Sequence, residues 1–138
     1  MMKLLVCLCL MLAAITLTMS AVVGGYNKLK VDSEIVKNLT IFSLDRITQQ
    51  TGSNRTLAVA KIESAESQVV SGLNYKIGMV VCEQDSAKEN QLINEACRFC
   101  CITIWEQSWL NSTKVTNVNC SEPGNLESLS SASLNKME

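Results

Sequence analysis

Gln68-Val69-Val70-Ser71-Gly72, running straight into the alternating stretch Leu73 to Cys82, is the segment on which the reading of this chain turns. Two valines stand at the bend of a hairpin, where polar turn residues are the rule. Gly72 supplies the one position free to take a positive φ at no steric cost. An apolar bend has no sheet of its own to pack against. It is either covered by neighbouring loops or kept for a partner. Beside the features below, the partner reading prevails.

Downstream of the bend, Leu73, Tyr75, Ile77, Met79 and Val81 alternate with Asn74, Lys76, Gly78 and Val80, the period of a half-buried strand. Upstream, Thr56 to Val70 is rich in small and branched residues and reads as a long strand. Glu83 to Ala96 is polar, with room for a short helical turn. Arg98 to Glu106 alternates again, and Lys114 to Cys120 is a closing strand. Between these two lies Glu106-Gln107-Ser108-Trp109-Leu110-Asn111-Ser112, a second hairpin loop that presents a tryptophan to solvent.

A helix precedes the strands. Asp32 or Ser33 caps it, it runs to about Gln50, and Gly52 stops it. At 100° per residue, Ile35, Val36, Leu39, Phe42 and Ile47 share an arc of about 140°, a core-facing stripe. Glu34, Lys37, Asp45 and Thr48 lie opposite. Ile41 and Leu44 fall on the outer side and Arg46 near the stripe's centre, which this pattern does not explain. One helix followed by an antiparallel meander implies an α+β domain whose sheet wraps the helix.

The ends speak of compartment. Met1-Met2-Lys3 and an uncharged run from Leu4 to Leu17, closed by small residues, make a secretory signal peptide cleaved after Ser20, with Ala21 the nearby alternative. The apolar core of about 14 residues is short of the roughly 20 that span a bilayer, so no membrane association is expected after cleavage. Removing 20 of the 138 residues leaves 118, enough for one compact domain over 21–120. From Ala21 to Lys30 the chain is small and flexible, a loose arm carrying Val22, Val23 and paired glycines. Ser121 to Glu138 is serine-rich, aperiodic and holds the sole proline, and it is expected to be disordered.

Composition excludes several chemistries. The mature part carries 11 basic and 13 acidic side chains, without the basic patch of a nucleic-acid binder. Histidine is absent, which removes Ser-His and Cys-His catalysis and the commonest metal ligand. No cofactor, metal site or catalytic residue is expected, and the chain is not read as an enzyme. The mature cysteines are Cys82, Cys97, Cys100, Cys101 and Cys120, read in an exported chain as two disulfides with one cysteine over. Cys97-Arg98-Phe99-Cys100 has the C-x-x-C spacing of zinc and redox sites, but lacks a second such pair or a helix N-terminus before it. Of four N-x-S/T sequons, Asn54 in the turn after the helix is the best acceptor. Asn111 and Asn38 follow, and Asn119 sits beside a cysteine. A glycan on Asn111 would crowd Trp109.

In order, Val-Val-Gly-Gly near the mature start, a helix, Gln-Val-Val-Ser-Gly, a Ser-Trp loop and paired late cysteines resemble a secreted (type 2) cystatin. The likeness covers roughly Val22 to Cys120. Gly24 precedes Gln68 by 44 residues, as that family's N-terminal glycine precedes its Q-x-V-x-G loop. The resemblance implies disulfides Cys100–Cys120, bracketing Trp109, and Cys82–Cys97, with Cys101 left over as a route to a dimer of an otherwise monomeric protein. It implies a secreted, reversible, tight-binding inhibitor of papain-like cysteine proteases such as cathepsins. Its wedge would be the arm Val22, Val23 and Gly24, the hairpin Gln68, Val69, Val70, Ser71 and Gly72, and the loop Ser108 and Trp109.

Two departures accompany the likeness. The family's usual proline before the tryptophan is Ser108 here. Members that also inhibit legumain use an asparagine in the turn after the helix, where Gly52 now stands, so that activity is not expected. The competing reading is a cystatin-fold carrier or signalling module that does not inhibit. Intact Gly24 and Gln68–Gly72 favour the inhibitor.

Overall fold

The computed structural model describes residues 24–88 and 91–132. Val22, Val23 and the expected signal peptide over 1–20 lie outside the described residues. The elements are β1 (Asn27–Lys28), α1 (Glu34–Thr51), β2 (Leu57–Val70), β3 (Gly72–Gln84), β4 (Leu92–Gln107), β5 (Ser112–Cys120) and α2 (Leu126–Ala132). The five strands form one antiparallel sheet in chain order, curled around α1. The expected α+β architecture is therefore the observed one.

Register irregularities between Val59 and Lys61 and between Ile62 and Ser64 interrupt the long β2 strand. Each such bulge bends the strand and sharpens its twist, which is how so long a strand follows a curved sheet. The core lies between α1 and the concave face: Val36, Leu39 and Ile47 meet Ala65, Tyr75, Ile77, Met79, Val81, Cys100, Ile102 and Ile104. Full burial of an isoleucine such as Ile77 is worth about 1.5–3 kcal/mol.

The helix stops at Gly52, whose φ of 65° is left-handed and whose N–H donates to Thr48 O. Ser33 occupies the N-cap position, but its hydroxyl makes no capping bond. Its carbonyl accepts from Lys37 N instead.

The buried stripe is Val36, Leu39, Thr40, Ser43 and Ile47, rotated by about 40° from the expected one. Ile35 and Phe42 are exposed at its border, Arg46 is exposed and donates to Gln49 Oε1, and Leu44 packs at the core's margin. Two hydroxyl residues took core positions because each pays back its own polarity locally. Thr40 Oγ1 donates to Lys37 O and Ser43 Oγ to Thr40 O, both at 2.7 Å, so neither hydroxyl is left unmet beneath the sheet.

The tail reading is corrected from Ser121 to Ala132. Past Cys120 the chain stays beside β4: Ser121 N donates to Phe99 O, and Cys97 and Gly124 exchange two backbone hydrogen bonds. Then α2 lays Leu126 and Leu129 over Val80, Cys82, Cys97 and Phe99 on the convex face. Val80, expected to face solvent, is accordingly buried, Gly78 (also expected to face solvent) is buried beside Ser64 and Phe99, and β3 is covered on both faces there. Glu83 to Ala96 differs too, since from Leu92 it is already strand.

Cys82–Cys97 and Cys100–Cys120 are the two disulfides, as the resemblance implied. Each joins residues directly opposite one another on neighbouring strands. Cys101 takes part in neither. Because Cys97 and Cys100 belong to different bridges, the C-x-x-C spacing is not a redox or zinc pair.

Candidate functional site

Strand direction alone gathers the site. β2 and β4 run the same way in the meander, so the β2–β3 and β4–β5 turns lie at one end of the sheet. β1 runs against β2, with Lys28 opposite Glu66 and Asn27 opposite Ser67, so the chain before it heads toward Gln68. Gly24 thus arrives beside the first hairpin.

The first hairpin turns in the least possible length. Val70 pairs with Gly72 and only Ser71 remains at the tip. Gly72 has φ 103°, and a Cβ there would lie 2.3 Å from Glu106 O. Glycine is needed twice over, for the turn and for the neighbouring strand. Val69 and Val70 are exposed, at 69% and 42% of their surface, so their own fold does not cover them.

The second hairpin closes with a 3₁₀ turn over Ser108–Leu110, ended by Asn111 in the left-handed region at φ 47°. Asn111 N donates to Ser108 O, which closes the turn. Trp109 and Leu110 are both more than 60% exposed. Leu110 had gone unnoticed in the sequence. An apolar neighbour of a loop tryptophan was the available signal.

Polar side chains tie the three pieces together. Gln68 Nε2 donates to Gly24 O, fastening the arm to the hairpin. Trp105 Nε1 donates to Ser71 O at 2.9 Å, a link the sequence did not disclose. Beneath them, buried Tyr75 has its hydroxyl pKa pushed up to about 12, first by burial, then by the charge of Glu106 and a hydrogen bond to it. The phenol therefore stays protonated and holds the carboxylate at the root of the second hairpin. Among the described residues no group of three His, Cys, Asp or Glu is placed to hold a metal ion. What this end of the sheet offers is exposed apolar surface, from Val69, Val70, Trp109 and Leu110. Of the sequons, Asn38, Asn54, Asn111 and Asn119 are all exposed.

A cystatin-domain family profile matches residues 24–121, from the arm glycine to just beyond the second disulfide. The chain belongs to the cystatin family. Similar relatives include an L-cystatin of Tachypleus tridentatus, 26% identical over 127 residues, covering 85% of this chain and 96% of that one. A cystatin-like cysteine protease inhibitor EPIC4 of Phytophthora infestans is 29% identical over 105 residues, covering 72% of this chain and 60% of that one. The crystal structure of Al-CPI shares the fold, with a TM-score of 0.61 at 22% identity over 71% of this chain and all of that one. Cystatins are protease inhibitors rather than enzymes, and the family assigns this chain to cysteine protease inhibition in general.

Proposed function

We propose that this cystatin is a secreted, reversible, tight-binding inhibitor of papain-like cysteine proteases of the cathepsin L and B type. The supporting observation is the exposure of Val69, Val70 and Trp109 at one end of the sheet, with Gly24 fastened beside them. That ridge would enter the protease cleft. Val22 and Val23 would occupy substrate-side subsites, and Gly24 would bend the arm away from the catalytic thiol. Gln68 to Gly72 would cover the cleft, and Ser108 with Trp109 would grip its far side. A short, taut hairpin loses little conformational entropy on docking, and an aromatic anchor is the residue type most enriched among binding hot spots. Occlusion needs no reaction, so a chain without histidine performs it.

The signal peptide over 1–20 and two disulfides support export into an oxidising compartment. There Asn54, Asn111 and Asn38 would be open to glycosylation, and the working form would be a monomer unless Cys101 bridges two copies.

Titrating the mature chain against papain and a cathepsin L-like enzyme tests the proposal. Competitive inhibition that is lost on deleting residues 21–24 together with Trp109→Ala is the expected result. No inhibition at micromolar inhibitor would overturn it in favour of the carrier or signalling reading.

A further inference from the structure

The two tryptophans of this domain have different surroundings. Trp109 projects into solvent at the tip of the second hairpin. Trp105 stands four residues earlier on β4, opposite Asn74 on one side and Lys114 on the other. Its neighbour Ile104 points into the core with no exposed surface, so Trp105 lies on the outer, convex side of the sheet. From there its indole reaches over β3 to the tip of the first hairpin.

The tip has a specific need. Val70 and Gly72 pair with each other across a turn of one residue, so Ser71 O has no strand partner. Trp105 Nε1 donates to it at 2.9 Å. Indole N–H is a donor only, so the bond has one direction and one partner class. Gly72 makes the approach feasible, because a Cβ at that position would come within 3.2 Å of Trp105 Nε1.

We infer that Trp105 is a positioning residue, its indole N–H locking the Ser71 carbonyl so that Val69 and Val70 are held at a set angle to the Trp109 loop. It touches no protease in this scheme; it removes the freedom of the hairpin to rock before docking. The inference rests on the inhibitor reading for its effect on affinity, but its structural half stands without it. Preorganisation of this kind tightens binding by lowering the ordering cost. Losing one such hydrogen bond should weaken inhibition about 3- to 10-fold.

The test uses the mature chain and its Trp105→Phe variant, which keeps a flat apolar ring and loses the N–H. Three readouts are taken together: the inhibition constant against papain, the thermal midpoint, and amide hydrogen exchange at residues 69–73 and at Ile77. The expected result is inhibition weakened about 3- to 10-fold, faster exchange at 69–73 and unchanged exchange at Ile77. In the parent, the indole N–H of Trp105 should exchange more slowly than that of Trp109, assigned by Trp109→Phe.

Equal inhibition and equal hairpin exchange in the two proteins would overturn the inference. So would weaker inhibition without faster exchange at 69–73, since Trp105 would then act by direct contact. Faster exchange at Ile77 as well, with a lowered midpoint, would also overturn it, because the residue would then be a general stabiliser. If the parent fails to inhibit papain at all, the inhibitor reading fails. The exchange arm still decides whether Trp105 holds the hairpin.

Discussion

At the hairpin end of the sheet, Val69, Val70, Trp109 and Leu110 face solvent, and the segments are tied to one another by the side chains of Gln68 and Trp105. At the opposite end, Cys82 and Cys97 are fully buried, bonded to each other and roofed by Leu126 and Leu129. Apolar surface is withheld from the core at one end and added to it at the other. Hydrophobic burial is the main stabilising term in folding, so surface left open must be matched by burial elsewhere. The C-terminal segment does this at the end remote from exposed Val69, Val70 and Trp109.

If the two ends divide binding from stability, mutations should separate accordingly. Gly72→Ala should have the largest effect on binding, weakening papain inhibition about 100-fold, because it combines a left-handed strain with a collision against Glu106 O. Both strains act on the folded state, so the thermal midpoint should fall as well; a Gly72→Ala protein that inhibits papain like the parent would break the division. Ending the chain at Cys120 should cost about 2–3 kcal/mol in urea unfolding, from the lost cover of Leu126 and Leu129, while inhibition changes less than about twofold. A matching loss of inhibition would show that the ends are coupled.

Trp109→Ala should weaken inhibition about 30-fold with no shift in urea midpoint, as expected of an exposed anchor. Tyr75→Phe should have the smallest effect at neutral pH, about 1 kcal/mol. At high pH it sharpens the picture. Folded Tyr75 keeps its proton to about pH 12, while the unfolded side chain loses it near 10. Between those values the folded state binds more protons, so stability that is complete below pH 10 falls by up to about 3 kcal/mol as pH rises through 12. Alkaline denaturation of Tyr75→Phe should lack this component.

Much of the ridge was legible because its signals are local. A glycine after two valines, a tryptophan in a polar loop and strict alternation along β3 each need only a few neighbouring residues to be read. The helix stripe was misplaced because hydropathy penalises Thr40 and Ser43, whereas their hydroxyls turn back onto the helix and leave small, buryable side chains. α2 was invisible for a different reason. Leu126 and Leu129 within seven residues make no period, and the surface they cover exists only after Val80, Cys82, Cys97 and Phe99 have been assembled from two strands. Trp105 was hidden likewise, since alternation places its ring on a face but says nothing of a carbonyl 34 residues away in sequence.

The missing Cβ at Gly72 has a practical corollary for anyone seeking to retarget this scaffold. With Glu106 O occupying that space, the two bends interlock, and a library that randomises both as independent cassettes would fill with collapsed clones. Diversity belongs at Val69, Val70 and the Ser108–Leu110 turn, with Gly72 and Trp105 kept constant as the hinge pin between them.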